Sequence, residues 1–229
     1  IIALSATVAN SQALTDWINS VHSKTELVDT DFRPVPLRFY YFDSSSFDSR
    51  TKSDIFAKEA ASVLAANGIT VYIFDSLRPT PELSFAVRYL NATAGIVITA
   101  SHNPAKYNGY KVYWSDGGQL PPKEADTVYS YIKKTDIFGA KVTDFDKAVK
   151  NGKIKIIGKD VDEAYYSAVM ALSVNKPAWD NTDLSVVYTP FHGAGNIPVC
   201  TVLKRMGLQN LTVVKEQELP DGRFPTVKS

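Results

Sequence analysis

The sequence has little cysteine, no strong excess of charge and no long apolar segment. Cys200 is the only cysteine among 229 residues, so no disulfide can form within the chain. The formal net charge of +1 gives no global attraction for nucleic acid or anionic lipid. No apolar run approaches the ~18 residues that a membrane-spanning helix needs. We therefore expect a cytoplasmic protein with neither a nucleic-acid partner nor a membrane partner.

The chain begins at Ile1, without an initiator methionine and without the charged segment of a signal peptide, and we expect it to be a fragment. Its composition, 45% hydrophobic and 21% charged, is typical of a globular protein with a real core. The length favours one large or two small domains. The sequence does not predict an oligomeric state.

Alternating strand and helix patterns predict an α/β fold, with helices covering a mixed or parallel sheet. In a helix over residues 53–67, Ser53 is the expected N-cap and Asn67–Gly68 the stop. The other predicted helices lie within 79–90, 122–134 and 160–172, and before Met206. Strands are predicted at 37–42, 69–74, 94–99, 184–189 and 211–214. Residues 136–158 are expected to link two domains, of which the second is incomplete, with one strand–helix–strand.

A polar loop follows the predicted strand at 94–99. It contains Ser101, His102 and Asn103, and Lys111 follows shortly after. Strand ends of this kind commonly carry the chemistry of α/β proteins. The residues alone leave open a polar loop without chemistry, phosphoryl transfer at Ser101, and hydrolysis. Hydrolysis is disfavoured because neighbouring side chains of an extended segment point apart and no G-x-S-x-G elbow is present.

Three further positions have a functional and a structural interpretation. Lys111 could clamp a phosphate or donate a proton, or it could be a solvated lysine at a strand edge. His192 begins a glycine-containing turn before a helix, which could hold an anion or could be a tight turn only. Arg50 could form an ion pair at the same sheet edge. No histidine or cysteine spacing indicates a metal site.

Five segments together closely resemble the α-D-phosphohexomutase family, which comprises the phosphoglucomutases and phosphomannomutases, and the details resemble a phosphoglucomutase most. The resemblance covers about residues 46–229. The segments that carry it are Asp48–Arg50, Leu77–Pro81, Thr99–Lys111, Thr189–Gly195 and Glu218–Gly222.

The resemblance implies that Ser101 carries a phosphoryl group, donates it to a hexose phosphate, and takes one back from the bisphosphorylated sugar. Lys111 matches the family's proton-transfer lysine, and His102 and Asn103 match its active-site loop. Mg²⁺ would bind Ser101 through its phosphate, and glucose 1,6-bisphosphate would be the primer. The family's aspartate metal ligands and its sugar-recognition parts lie beyond the residues given, so we expect this chain alone to be inactive. Phosphoryl transfer relies on positioning and charge stabilisation, which fits this set of residues.

Residues 1–43 resemble a different family, the Ski2-like group of superfamily 2 RNA helicases. Ser5–Thr7 matches the Ser-Ala-Thr motif of that group. We therefore predict three parts: a helicase-like fragment at 1–43, a first mutase domain at 44–158 and an incomplete second domain at 159–229. The alternatives to a mutase fragment are a helicase-derived nucleic-acid-binding fragment and a non-catalytic chimeric chain. We also hypothesise that residues 37–42 supply the first strand of the mutase fold.

Overall fold

A computed structural model describes residues 49–99, 109–136, 139–175, 178 and 182–227. Within these ranges helices and strands alternate along most of the chain. The helices are α1 (Ser49–Ala66), α2 (Thr80–Tyr89), α3 (Pro122–Ile132), α4 (Phe145–Lys150), α5 (Lys159–Ala171), α6 (Asn196–Arg205) and α7 (Lys215–Glu218). The strands are β1 (Val71–Phe74), β2 (Ala94–Ile98), β3 (Tyr110–Trp114), β4 (Ile154–Ile157), β5 (Ser185–Tyr188) and β6 (Asn210–Val213).

The predicted α/β class is confirmed, with both parallel and antiparallel strand pairs. β1 pairs with β4 in parallel, and β5 pairs with β6 in parallel across the helix α6. β2 and β3 form an antiparallel pair, in agreement with the predicted mixed or parallel sheet, although β3 itself was not predicted as a strand. The segment between β2 and β3 has no room for the crossover of a dozen or more residues that parallel pairing requires.

The segment 136–158, which was predicted to link two domains, has regular structure of its own. It contains α4 and β4, and β4 aligns Ile154 with Val71 of β1. Asp144 caps α4 by accepting a 2.8 Å hydrogen bond from the Lys147 amide. A six-residue helix and a four-residue strand give too short a pattern to be recognised locally, and the partner strand is far away in sequence.

Helix α1 starts earlier than predicted and ends where predicted. Ser53 lies in its second turn and is not the N-cap, because residues 49–52 contain no proline or glycine that would stop the helix extending backwards. At the other end, the Asn67 side chain donates to the Val63 carbonyl at 2.8 Å, and Gly68 adopts a φ of 86°. This confirms the predicted glycine stop.

A small apolar core lies where α1 and α4 pack on β1 and β4. Ala61, Ala65, Ala148 and Ile154 are all almost fully buried in it. Three alanines allow the helices to approach the sheet closely, so Ile154 fills the centre of the contact. The predicted strand at 37–42 and the helicase-like segment lie outside the described residues. No helix of the described residues is long and apolar enough to cross a membrane.

Helix α2 packs tightly against the β2–β3 pair. A Cβ atom on Gly95 would lie 2.5 Å from Val87 Cγ2 of α2, so only glycine fits there. Beyond β3, the Ser84 hydroxyl of α2 donates to the Gly117 carbonyl at 2.6 Å. Both strands are therefore held by one helix, at the end of the pair where β2 begins and β3 ends.

Replacing Gly95 by alanine should lower the free energy of unfolding by about 1–3 kcal/mol, because the added methyl group overpacks against the stiff side chain of Val87. Urea unfolding measures the change. In a double-mutant cycle with Val87→Ala, the second substitution should cost less in the Gly95→Ala background, since it makes room for the methyl group. Strictly additive losses would show that the two positions do not clash.

Candidate functional site

The segment that contains Ser101, here called the serine loop, connects β2 with β3. The base of this loop is the end of the antiparallel pair that these strands form. The Thr99 amide donates to the Gly109 carbonyl at 2.8 Å, one step beyond the last strand pair, Ile98 with Tyr110. Ser101, His102 and Asn103 lie between these two ends and outside the described residues, so their roles stay predictions. In the sequence, Ser101 comes two residues after Thr99, which makes the last hydrogen bond between the two strand ends.

Lys111 lies inside the strand pair, two residues beyond Gly109, and is partly buried. Its Cα partner is Val97 on β2. Because side chains alternate along a strand, Lys111 shares a face with Tyr113 and with Gly95, the face that packs on α2. The structure therefore places the lysine at the base of the serine loop. Its predicted part in proton transfer is not tested by this position.

Arg50 lies in the first turn of α1, and its side chain is outside the described residues. Its predicted phosphate contact therefore remains a prediction. For Mg²⁺, the described residues offer no group of three or more His, Cys, Asp or Glu side chains that could hold a metal ion. These residues alone do not fit the cation that the resemblance implies.

His192 lies in the predicted turn between β5 and α6, and its ring is only 6% exposed. Nδ1 is 3.1 Å from the Leu219 carbonyl, which can only accept, so Nδ1 carries the hydrogen. Nε2 then accepts from the Thr226 hydroxyl at 2.8 Å. Both ring nitrogens thus have partners within the chain. These contacts give His192 a structural role, and its predicted phosphate contact stays a prediction.

The backbone of His192 also bonds to the segment of residues 217–226. Its amide donates to the Gln217 carbonyl at 3.0 Å, and its carbonyl accepts from the Asp221 amide at 3.2 Å. Phe191 and His192 have φ angles of 48° and 61°, in the left-handed region that non-glycine residues rarely adopt. The turn therefore keeps its strained shape because the 217–226 segment is bonded to it.

Replacing His192 by alanine should lower the free energy of unfolding by about 1–3 kcal/mol, because both hydrogen bonds of this buried side chain are lost and alanine is strained at a positive φ. Hydrogen exchange should rise selectively in residues 217–226. His192→Asn should lose less, since asparagine tolerates a positive φ and keeps a donor. Unchanged exchange in 217–226 for the alanine variant would contradict this structural role.

A cluster of charged groups joins the loop after β1 to helix α5. Arg78 Nε donates to Asp162 Oδ1 at 2.7 Å, and Nη2 donates to Oδ2 at 2.8 Å. Nη2 also donates to Asp75 at 3.0 Å. Glu82, one turn after Arg78, is fully buried, and its Oε1 is 3.8 Å from Arg78 Nε. The cluster was not predictable from local sequence patterns, because Arg78 and Asp162 are 84 positions apart.

The charges of this cluster shift one another's pKa values. Burial raises the pKa of Glu82 to about 8, and contact with Asp162 adds to the increase. For Asp162, burial alone would raise the pKa, but hydrogen bonds from Arg78 and Glu82 outweigh it and lower the pKa. Hydrogen bonding to Asp162 raises the pKa of Arg78. The pair of acids therefore carries one negative charge at neutral pH.

Two family models match the chain, one after the other. The phosphoglucomutase/phosphomannomutase alpha/beta/alpha domain I matches residues 46–137, and domain II of the same family matches residues 163–229. Together the matches cover more than half of the chain. The chain belongs to the phosphoglucomutase/phosphomannomutase family. Both models start after residue 45, so the helicase resemblance of residues 1–43 gains no support from them.

Individual relatives agree with this family. A phosphoglucomutase of Staphylococcus saprophyticus is 44% identical over 182 residues, covering 79% of this chain and 32% of the relative. A phosphoglucomutase of Staphylococcus aureus is 40% identical over 184 residues, covering 80% of this chain and 32% of the relative. The chain thus spans about a third of the length of the curated relatives it matches.

A solved structure has the same fold. The crystal structure of a protein assigned as a phosphomannomutase from Thermus thermophilus superposes with a TM-score of 0.66 at 28% identity. It covers 79% of this chain and 38% of the solved chain. The domain I model ends at residue 137, and the domain II model begins at residue 163. The predicted domain bounds 44–158 and 159–229 stay predictions.

Proposed function

We propose that this chain is the phosphoryl-carrying part of a hexose phosphate mutase, which interconverts hexose 1-phosphate and hexose 6-phosphate. The observation that supports this most is the match of both mutase domains, in order, around a strand pair whose closed end leads directly into Ser101. The sugar phosphate substrate, the glucose 1,6-bisphosphate primer, Mg²⁺ and a cytoplasmic location are part of the proposal.

The chemistry assigned to Ser101 is reversible phosphoryl transfer. The bond between Ser101 Oγ and phosphorus breaks as a hydroxyl oxygen of the hexose monophosphate bonds to the same phosphorus, giving a bisphosphorylated sugar and a free serine. After the sugar reorients, its other phosphoryl group returns to Ser101 Oγ. Lys111, at the base of the loop, would transfer the proton between the sugar hydroxyl and the leaving oxygen.

Of the remaining predicted site residues, His102, Asn103 and Arg50 would supply hydrogen-bond donors or positive charge for this step, and His192 would shape the turn beside it. His102 and Asn103 belong to the loop itself, Arg50 starts α1, and His192 lies in the turn before α6. Phosphoryl transfer gains most of its rate from oriented positive charge and hydrogen-bond donors. Mg²⁺ would supply further positive charge. Because the chain spans about a third of the length of its relatives, we expect it by itself to show little or no turnover.

The test is a segment exchange, in which residues 46–229 of this chain replace the matching part of the Staphylococcus saprophyticus phosphoglucomutase. We call the product the exchange chimaera. It should convert glucose 1-phosphate to glucose 6-phosphate when Mg²⁺ and glucose 1,6-bisphosphate are present, and the isolated chain should not. A chimaera that folds by circular dichroism but converts neither glucose nor mannose 1-phosphate would contradict the proposed function.

A further inference from the structure

The contact between α2 and α5 contains a buried acid within an aromatic layer. Glu82 of α2 is fully buried. The aromatic layer is formed by Phe85, whose ring lies 5.5 Å from that of Tyr165, and by Tyr166, 6.0 Å further on. Burial, followed by the nearby charge of Glu82, raises the pKa of both tyrosines, that of Tyr166 to about 12. The tyrosines therefore stay neutral across the range in which Glu82 titrates.

Glu82 has no hydrogen-bond donor facing it. Neither of its oxygens has such a partner among the described residues. The guanidinium of Arg78 is committed to Asp162 and Asp75, and its nearest nitrogen is 3.8 Å from Glu82. A buried carboxylate without donors is costly, whereas a neutral acid has a hydrogen to give to the Asp162 carboxylate. The geometry is therefore that of a protonated Glu82.

This contact connects two parts of the molecule that the sequence keeps apart. On its other side, α2 packs on Gly95 of β2 and bonds to Gly117 beyond β3, at the end of the strand pair that lies away from the serine loop. On the far side, α5 is joined to α6 by the bidentate pair of Glu163 with Arg205, at 2.6 and 2.8 Å. A change between α2 and α5 would therefore disturb a series of contacts that runs from the β2–β3 pair through α2 and α5 to α6.

The geometry points to a proton-linked latch: Glu82, as a neutral acid, closes the contact between α2 and α5 by donating to Asp162, and the contact loosens when Glu82 loses its proton. Ionised, Glu82 would face the Asp162 carboxylate with only Arg78 to balance two charges, because Asp75 already shares that guanidinium. Tyr165 and Tyr166 supply no positive charge. The latch is a property of this interface and is independent of the chemistry at Ser101.

The sign of the pH effect follows from which state holds the proton. The pKa of Glu82 rises from 4.5 to about 8 on folding, so between these values the folded chain keeps a proton that the unfolded chain releases. Stability from Glu82 is complete below 4.5, declines as pH rises, and is lost above about 8. One proton changes the unfolding constant about tenfold per pH unit. Asp162 has the opposite effect on stability. Because its pKa is lowered on folding, its contribution to stability is lost only as the pH falls below 3.8.

The test compares urea unfolding of the wild-type chain with Glu82→Gln from about pH 5 to about pH 8. Glutamine keeps a donor towards Asp162 and cannot ionise. The unfolding constant of the wild type should rise relative to that of Glu82→Gln by about tenfold per pH unit, about a thousandfold in all. The matched control is Glu163→Gln, which removes one exposed charge from α5 and should follow the wild-type pH dependence. Parallel curves for Glu82→Gln and the wild type would overturn the latch.

Two measurements on the same proteins separate the latch from a general change in stability. At about pH 9, amide hydrogen exchange in α2 and α5 should be faster in the wild type than in Glu82→Gln, with β5 and β6 much less affected. If the variant does not fold, infrared spectra of the wild type labelled with ¹³C-glutamate should show a protonated carboxyl band at neutral pH that disappears near pH 8. A wild type without that band at neutral pH would overturn the proposal.

Discussion

Replacing Ser101 by alanine in the exchange chimaera should reduce glucose 1-phosphate conversion by about 10⁴-fold or more, as removal of a covalent nucleophile does in other enzymes. No other group in the proposed mechanism accepts the phosphoryl group. Without Ser101 Oγ the bisphosphorylated sugar has no acceptor to which it can return its second group. The steady-state rate with Mg²⁺ and primer measures the effect.

The matched control for this substitution is Ser130→Ala on helix α3. Ser130 is exposed, and its hydroxyl donates only to the Thr127 carbonyl of its own helix, at 2.7 Å. Its loss should leave the rate within about twofold. If the Ser101→Ala chimaera kept more than a tenth of the activity, the phosphoryl group would have to travel by another residue.

Replacing Arg78 by alanine should lower the free energy of unfolding by about 3 kcal/mol at neutral pH, because it leaves the partly buried Asp162 without its two donors. It also removes the positive charge that lies 3.8 Å from the Glu82 carboxyl group. Urea unfolding measures the loss. Arg78→Lys should fall between the wild type and the alanine variant, since a lysine cannot donate to both oxygens of Asp162 in the fork geometry.

Arg205→Ala is the control for this second prediction. Arg205 also makes a bidentate pair, with Glu163, but both side chains are largely solvated. Exposed ion pairs contribute little, because water screens and solvates both charges. The loss for Arg205→Ala should therefore be much smaller than for Arg78→Ala. Equal losses would mean that burial does not set the strength of the Arg78 cluster.

Local patterns predicted most helices and strands of this chain. The periodicity from Asp160 to Leu172 placed α5 within one residue at each end, and Asn67–Gly68 marked the end of α1. Local patterns did not indicate which strands pair with one another. β4 has only four residues, and its position beside β1 depends on burial against α1 and α4, which no short window contains. The antiparallel pairing of β3 with β2 depends likewise on the short connection between them.

The candidate site was predictable in its loop but not in its surroundings. The sequence predicted a strand followed by the Ser101 loop and Lys111, and in the structure Lys111 lies at the base of that loop. The partners of His192, by contrast, come from a segment that follows α6 and β6. The burial of Glu82 was not predicted, since it depends on packing against elements such as α5 that lie far along the chain.

The most direct test of the central proposal is to locate the phosphoryl group on the exchange chimaera. The protein is incubated with glucose 1,6-bisphosphate and Mg²⁺, then digested and analysed by mass spectrometry. We predict one phosphoryl group, on the peptide that contains Ser101, and its loss when glucose 6-phosphate is added in excess. A chimaera that turns over while its phosphoryl group resides elsewhere, or on no residue at all, would contradict the role of Ser101.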